Sequence, residues 1–386
     1  MAAVDGLRGK VVVAGVGYSE LGKDTGRSEA ALTIDAVRAA LDDAGLTPAD
    51  VDGLSPWPSR QGADTFSGPP LSLVQRSLGL DLRYWQAGGE GAAQLSGVIN
   101  AAQAIACGAA DVVVTWRTVI AQPRAKKVAA RPTNVEVWHE NGFLAPHGVA
   151  AMSPKWALLA ARFLHETGQG PDDLAAVVLN NRANAQRNPR AVWHGRPLML
   201  DDYHASPMIS TPLRIVDCDM PVDASVAIVL ARADRSGDLR HPPARIEAAC
   251  GTPGPQTEPE LASAELTHDT SWYNGRLLWT LTDVGPGDVD VAELYDGFSF
   301  QTLMWLEGLG FCSQGESGAM VRAGGGVPLC TDGGQLGVGR YHGLEKVAQA
   351  ARQLWGDAAD TQVEAAEVAV AAVGSGSRGG AILLTR

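Results

Sequence analysis

The sequence predicts an α/β protein whose two halves share one plan. The chain opens with a strand followed by a helix, each half closes on buried apolar strands, and a glycine pair precedes the last strand. Matching strand pairs at the ends of two α/β halves indicate an internal duplication. We therefore expect duplicated halves in which two mixed sheets stack around shared central helices.

The first half, residues 1–235, begins with a β-branched run that ends in glycines, which is typical of a strand. Helical spacing of apolar residues follows, and a later small-residue helix with a glycine stop leads directly into a buried strand. The predicted elements are a strand over 11–17, helices over 30–45 and 91–108, and strands over 111–116 and 223–232.

The second half, residues 240–386, follows a polar stretch at 234–243 that is the best domain boundary. Its helices and terminal strands repeat the order of the first half. The predicted elements are helices over 292–305 and 343–355 and strands over 366–373 and 379–385.

An inserted region at about 117–210 interrupts the first half and is rich in Arg, Asn, His, Trp and Pro. Its strongest predicted helix covers 154–167. Residues 117–197 contain eleven basic and five acidic side chains, so this segment carries +6 and the rest of the chain −18. Two interpretations stay open: a solvated loop surface, or a landing site for an anionic cofactor such as the phosphates of coenzyme A.

Composition excludes several classes of protein. A net charge of −12 argues against a nucleic-acid-binding surface, which needs a basic stripe. No apolar stretch is long enough for a membrane span, and the N-terminal residues lack the pattern of a signal peptide. The five cysteines are scattered without CxxC spacing, so we expect no metal site, no disulfide framework, and a cytoplasmic protein.

Segments in both halves form an ordered set of motifs. They are GAAQLSGVINAAQAIACGAADVVV at 91–114, SPKWALLAARFLHETG at 153–168, LAAVVLNNRANAQRNPRAV at 174–192, PLRIVDCDMPVDASVAIVLARAD at 212–234, ELYDGFSF at 293–300, GGQLGVGRYHG at 333–343 and GSGSRGGAILL at 374–384. In this order they resemble the thiolase superfamily, and within it the sterol-carrier-protein-type thiolases and the lipid-transfer-protein aldolases of bacterial steroid side-chain degradation. The resemblance covers nearly the whole chain and implies the thiolase fold, with five layers in the order α-β-α-β-α.

The resemblance also implies that the thiolase nucleophile is missing. Gly91 aligns with the nucleophilic cysteine at the start of the central helix, and the turn that holds the second thiolase cysteine reads Val-Gly-Ser-Gly-Ser at 373–377. Tyr295 aligns with one thiolase histidine, and Arg340 lies near the position of the other. We therefore expect chemistry without a covalent acyl-enzyme, and structural roles for the five cysteines.

The aligned residues supply candidate site residues. Tyr295, Tyr341 and His342 are the predicted catalytic residues, since proton transfer suits tyrosine and histidine, and Arg340 or His342 could favour a phenolate. Glycines at 374, 376, 379 and 380 are predicted to expose backbone N–H groups to a thioester oxygen, and Arg340 to face coenzyme A. The alternatives are buried core tyrosines, a structural histidine and a surface arginine. Glu293 and Asp296 could orient Tyr295 or cap a helix.

For function, the resemblance implies a retro-aldolase that cleaves a 17-hydroxy steroid with a three-carbon CoA side chain into a 17-ketosteroid and propionyl-CoA. Coenzyme A would enter as part of the substrate, with no permanently bound cofactor. The implied assembly is a homodimer flanked by OB-fold partners of the DUF35 type, themselves fused or bound to a MaoC-like hydratase. The rivals are a non-catalytic acyl-CoA or sterol-binding protein and a divergent thiolase or acyltransferase.

Overall fold

The computed structural model describes residues 6–57, 68–87, 93–121, 145–149, 151–253, 265–376 and 378–386. The strands in these ranges are β1 (Val11–Tyr18), β2 (Gly53–Leu54), β3 (Tyr84–Trp85), β4 (Val112–Val119), β5 (Met208–Ser210), β6 (Leu213–Arg214), β7 (Ala224–Arg232), β8 (Ala244–Cys250), β9 (Val291–Leu294), β10 (Val368–Ser375) and β11 (Arg378–Thr385). The helices are α1 (Glu29–Ala44), α2 (Leu71–Leu78), α3 (Ser96–Ala106), α4 (Met152–Thr167), α5 (Pro171–Gln186), α6 (Leu200–Ala205), α7 (Thr270–Trp279), α8 (Ser299–Gly308), α9 (Ser317–Arg322), α10 (Gly334–Gly337) and α11 (Leu344–Trp355).

The predicted duplication is visible in the strand order. Nine strands follow one another as β3-β2-β4-β7-β1-β8-β11-β10-β9. The first-half series β1-β7-β4-β2 corresponds to the second-half series β8-β11-β10-β9, because in each the first two pairings are antiparallel and the last is parallel. The halves meet where Val12 and Val13 pair with Arg245 and Ala244, so hydrogen bonding joins the two predicted sheets edge to edge.

Helices cover both faces of the first-half strands. Along β7, the side chains of Val226, Ile228 and Leu230 belong to the large core shared with α3, whereas alternate residues pack toward α1. This alternation is what a strand with two buried faces requires. Helix α1 approaches β1 so closely that a Cβ on Gly15 would lie 2.4 Å from the Ala40 carbonyl oxygen.

Most predicted elements are confirmed, with shifted ends. Helices α1, α4 and α11 match the predictions for 30–45, 154–167 and 343–355. The helix predicted over 292–305 starts only at Ser299, because residues 291–294 form β9 and pair in parallel with β10. The predicted strand over 111–116 continues to Val119, since β4 pairs with β7 along its whole length.

Two predictions, the position of Gly91 and the domain boundary, are not tested by the described residues. Gly91 lies outside the described residues, and α3 begins at Ser96 after a short turn over Ala93–Leu95. The domain boundary at 235–240 stays a prediction. In the parts of the chain that the structure describes, no helix combines the length and apolar character needed to cross a bilayer.

Candidate active site

Tyr295 follows β9 directly and is almost fully buried. Its backbone N–H donates to the carbonyl oxygen of Ala372 in β10 at 2.8 Å. This bond holds the backbone from which the side chain extends. The ring has room because two neighbours are glycines: a Cβ on Gly297 would lie 2.9 Å from the ring, and one on Gly343 would lie 3.4 Å from it. The YDGF motif therefore places a tyrosine where two loops meet at the end of β9.

His342 lies next to Arg117, a residue of β4. The distance between Arg117 Nη2 and His342 Nδ1 is 2.6 Å. The His342 backbone has φ 68°, in the left-handed region, and its N–H donates to Gln335 Oε1 at 2.9 Å. Such a backbone costs about 1–3 kcal/mol in a non-glycine residue, so the surrounding contacts must hold it.

Electrostatics keep His342 neutral. Burial lowers the pKa of its imidazole well below the ordinary range, and the positive charges of Arg117 and Arg340 lower it further. Burial disfavours the charged form, and two nearby cations act in the same direction. His342 can therefore donate only one ring hydrogen bond at neutral pH.

Arg117 is a buried cation, with 2% of its surface exposed. Within the described residues it pairs with no carboxylate, and its Nε and Nη1 atoms have no hydrogen-bond partner; its guanidinium lies 5.2 Å from the centre of the Trp57 ring. Burial lowers its pKa to about 9. Burying a cation without a counter-charge costs on the order of several kcal/mol, so a functional role is the natural explanation.

Arg340 and Asp219 border the same site. Arg340 Nη1 lies 3.3 Å from Asp219 Oδ1. Burial raises the pKa of Asp219 to about 7 although Arg340 lowers it. Burial also raises the pKa of Tyr295 above its usual range, with contributions from the negative charges of Asp219 and Glu345 that outweigh Arg340. Tyr295 consequently keeps its proton at neutral pH.

Tyr341 has different partners from Tyr295. Its hydroxyl oxygen accepts a hydrogen bond from Arg190 Nη2 at 3.1 Å, and its ring packs edge-on against Tyr18 at 5.6 Å. Tyr18 and Tyr341 line a cavity of about 170 Å³ together with Arg190 and Asp332. Burial raises the pKa of Tyr341, whereas Arg190 lowers it through its charge and its hydrogen bond.

The cavity beside Tyr341 favours anions. Arg187 and Arg352 line it in addition to Arg190, and Asp332 is its one acidic wall residue among those described. Burial raises the pKa of Asp332, which reduces its negative charge. Arg187 and Arg190 come from the basic inserted region that the sequence singled out.

A cluster of buried acids surrounds Lys346 beneath the site. Lys346 Nζ lies 2.7 Å from Asp296 Oδ1, and both side chains are essentially unexposed. Burial raises the pKa of Glu293 and of Glu345 to about 8, although Lys346 lowers both. One lysine cannot balance all these carboxyl groups, so some of them hold protons at neutral pH.

The glycine-rich turn only partly matches its predicted role. The Gly376 N–H donates to Asp269 Oδ2 at 2.7 Å, so the expectation that this amide is available to a thioester oxygen is wrong. Gly374 has φ 99°, and a Cβ there would lie 2.1 Å from the Arg378 carbonyl oxygen. Only glycine fits this position.

The turn over Ala93–Leu95 packs against β10 and β11, which places the start of α3 beside this hairpin.

None of the five cysteines occupies the site as an activated thiol. Cys107 caps the far end of α3 and is exposed. Burial raises the pKa of Cys218, Cys250 and Cys312 to about 12, and that of Cys330 well above its usual value. A reactive cysteine needs a lowered pKa, so these thiols are poor nucleophiles.

The structure thus brings Tyr295, His342 and Arg340 together and directs the Tyr341 hydroxyl to Arg190. Arg117 and Arg190 are not among the site residues predicted from the sequence, where they are only members of a basic segment. A signal for Arg117 existed, because a charged residue directly after the apolar run DVVVTW is out of place in a buried strand.

Comparison with known proteins identifies the family. The family described as Thiolase C-terminal domain-like matches residues 264–383. A 17-hydroxy-3-oxo-4-pregnene-20-carboxyl-CoA lyase from Mycobacterium tuberculosis is 35% identical over 362 residues, covering 91% of this chain and 92% of that protein. A steroid side-chain-cleaving aldolase from Thermomonospora curvata is 33% identical over 385 residues, covering 95% of each.

Solved structures of thiolase-like proteins have the same fold as this chain. The Ltp2-ChsH2(DUF35) aldolase superposes with a TM-score of 0.86 at 31% identity, covering 99% of each chain. Human mitochondrial 3-ketoacyl-CoA thiolase shares the fold, with a TM-score of 0.67 at 15% identity and coverage of 98% of each chain. The predicted thiolase fold is confirmed, and the chain belongs to the thiolase superfamily, in the family of thiolase-like steroid side-chain-cleaving aldolases.

Proposed function

We propose that this protein is a carbon–carbon lyase that cleaves a 17-hydroxy steroid bearing a three-carbon CoA thioester side chain into a 17-ketosteroid and propionyl-CoA. The names of two relatives that are 35% and 33% identical, a CoA lyase and a steroid side-chain-cleaving aldolase, support this reaction class. The observation that carries the proposal is the site itself: Tyr295, a neutral His342 and the buried cation Arg117 lie together, and no activated thiol accompanies them.

The reaction needs one base, one acid and a stabilised oxyanion. A base removes the proton of the 17-hydroxyl, whose carbon–oxygen bond becomes a carbonyl as the bond between the ring and the side chain breaks. The released electron pair forms the enolate of the CoA thioester, which then takes up a proton at carbon. Atoms and charge balance without a covalent bond to the enzyme.

We assign the base to Tyr341 and the acid to Tyr295. Arg190 donates to the Tyr341 oxygen and favours its phenolate, as a tyrosine base requires. Tyr295 lies among acidic groups and keeps its proton, which suits a group that protonates the enolate. His342, neutral and held in place, donates a hydrogen bond to the thioester oxygen.

The CoA moiety is proposed to pass Arg340 and the hairpin glycines. Gly374 and Gly376 contribute through the absence of side chains, since the Gly376 amide is already bound to Asp269. Coenzyme A thus enters with the substrate. The cavity beside Tyr341, at about 170 Å³, has room for only one part of such a substrate, because sites for drug-sized ligands measure roughly 300–1,000 Å³.

The proposed assembly is a homodimer with an OB-fold partner of the DUF35 type, fused or bound to a MaoC-like hydratase that supplies the hydroxyacyl-CoA. The DUF35 component named with the structurally similar aldolase supports that partner. We further propose that the protein works in the cytoplasm, consistent with its five free cysteines.

Two alternative functions predict different experimental outcomes. A non-catalytic acyl-CoA or sterol-binding protein would bind the thioester without cleaving it. A divergent thiolase or acyltransferase would form a stable acyl adduct with acetyl-CoA, visible as a mass increase of the intact protein. The raised pKa values of four buried or half-buried thiols oppose the second rival.

The decisive experiment combines this chain with its DUF35 partner and the β-hydroxy steroid thioester. Formation of equal amounts of ketosteroid and propionyl-CoA is expected, with no acyl adduct on the protein. Binding without product would favour the non-catalytic rival, and an adduct that forms and decays with turnover would favour the thiolase rival.

A further inference from the structure

We propose that Arg117 is a positioning residue that holds His342 as the neutral tautomer with its proton on Nε2. The relevance to catalysis rests on the proposed function, but the assignment of the proton stands on geometry alone. The Arg117 Nη2 and His342 Nδ1 atoms are 2.6 Å apart, within direct hydrogen-bond distance.

The chemistry of the two groups fixes the direction of this bond. A guanidinium has only N–H donors and no acceptor, so Arg117 must donate and His342 Nδ1 must accept with its lone pair. A neutral imidazole whose Nδ1 holds a lone pair carries its proton on Nε2. The tautomer therefore follows from the identity of the partner.

A second proton on the ring is disfavoured by the charged groups around it. Arg117 faces the imidazole from β4 and Arg340 from the loop that carries His342, and both are positive. Tyr295, which follows β9, interacts electrostatically with Arg117 and raises the pKa of its guanidinium. Asp219, the nearby acidic group, pairs with Arg340 at 3.3 Å, and burial together with the two arginines keeps the pKa of the ring low.

Both partners are fixed in place. Arg117 lies inside β4, where it pairs with Val226 of β7, and its guanidinium lies over the Trp57 ring at 5.2 Å. The His342 backbone is held through its N–H bond to Gln335. The contact with Arg117 therefore leaves Nε2 as the nitrogen that carries the proton, and the neutral ring donates through that N–H.

The test detects the ring proton directly in the protein labelled with isotopic histidine. Long-range proton–nitrogen correlation spectra distinguish the two tautomers, and His342→Gln identifies the signal among the eight histidines. We expect a single Nε2–H tautomer in the wild type and in Arg117→Lys, and a mixture of tautomers in Arg117→Met. A wild-type ring protonated on Nδ1, or on both nitrogens at neutral pH, overturns the inference, as does an unchanged tautomer in Arg117→Met.

Kinetics separate this inference from the function on which it builds. For Arg117→Met we expect kcat to fall by about tenfold to a hundredfold with a smaller change in KM, and Arg117→Lys to recover most of the rate. If the spectra agree but the wild type does not cleave the thioester, only the proposed function fails. If cleavage occurs but the ring signal of the wild type disagrees, only the role of Arg117 fails.

Discussion

Arg190 binds Tyr341 and Tyr18 at once: its Nη2 donates to the Tyr341 hydroxyl oxygen at 3.1 Å, while its guanidinium lies 3.6 Å from the centre of the Tyr18 ring. A cation that stacks on one aromatic ring and donates to the hydroxyl of another has little freedom to move. This fixed charge is the reason to assign the base to Tyr341 rather than to Tyr295.

Replacing Arg190 with Leu should raise the pKa of Tyr341, because burial already raises it and Arg190 opposes that effect. The phenolate would then form at higher pH, so the rising limb of kcat/KM against pH should move upward. Arg190→Lys keeps a positive charge and should move it less. A pH profile measured with the steroid thioester checks this, and an unmoved limb in Arg190→Leu would remove Tyr341 from the role of base.

Replacing Tyr295 with Phe should lower kcat by roughly a hundredfold or more while the fold survives, since proton transfer by a positioned group contributes about 10²–10⁴-fold. Tyr273→Phe is the matched control, because that tyrosine is 38% exposed on α7 and lies outside the site. Steady-state kinetics and thermal unfolding measure both variants. A Tyr295→Phe enzyme with near-full rates would show that the aligned tyrosine is a packing residue.

The sequence predicted the fold and supplied candidate site residues because both depend on local motifs. The ELYDGF phrase places Tyr295 after a buried strand, and the order of motifs along the chain identifies the duplicated halves. The contacts that complete the site are not local: Arg117 and His342 are 225 residues apart, and Arg190 and Tyr341 are 151 apart. Such pairs depend on how the halves and the inserted region pack together.

The Gly376 amide is a second case in which a non-local contact could not be predicted from the sequence. Glycine in a tight turn correctly indicated a special backbone conformation, and Gly374 does have a positive φ. Whether an N–H is available depends on acceptors elsewhere, and Asp269, 107 residues away, takes this one. A motif can predict the shape of a turn but not the partners of its backbone.

Replacing Lys346 with Met should destabilise the protein by about 3–5 kcal/mol, because removing one partner of a buried ion pair leaves Asp296 uncompensated. The double variant Lys346→Met with Asp296→Asn should recover part of this loss, since the remaining group is neutral. Lys10→Met is the control, because Lys10 is exposed. Urea unfolding gives the free energies, and equal stability of single and double variants would contradict the pairing.

Glu345 links stability to pH. Burial raises its pKa to about 8 in the folded protein, from an ordinary value of 4.5. Between these values the folded protein keeps a proton that the unfolded chain has released, so the stabilising contribution is complete below 4.5 and is lost as the pH rises to about 8. Stability should therefore fall with rising pH across this window.

Glu345→Gln mimics the protonated acid at every pH and can still accept from the Gly343 N–H, which donates to Glu345 Oε2 at 2.8 Å. The difference in unfolding free energy between this variant and the wild type should grow in favour of the variant as the pH rises. At about 1.4 kcal/mol per pKa unit, the change should reach a few kcal/mol. Urea unfolding from about pH 5 to about pH 8 measures it, and the exposed Glu364→Gln should show no such trend. A constant difference for Glu345→Gln would mean that Glu345 is ionised throughout and that its burial is balanced by the nearby charge of Lys346.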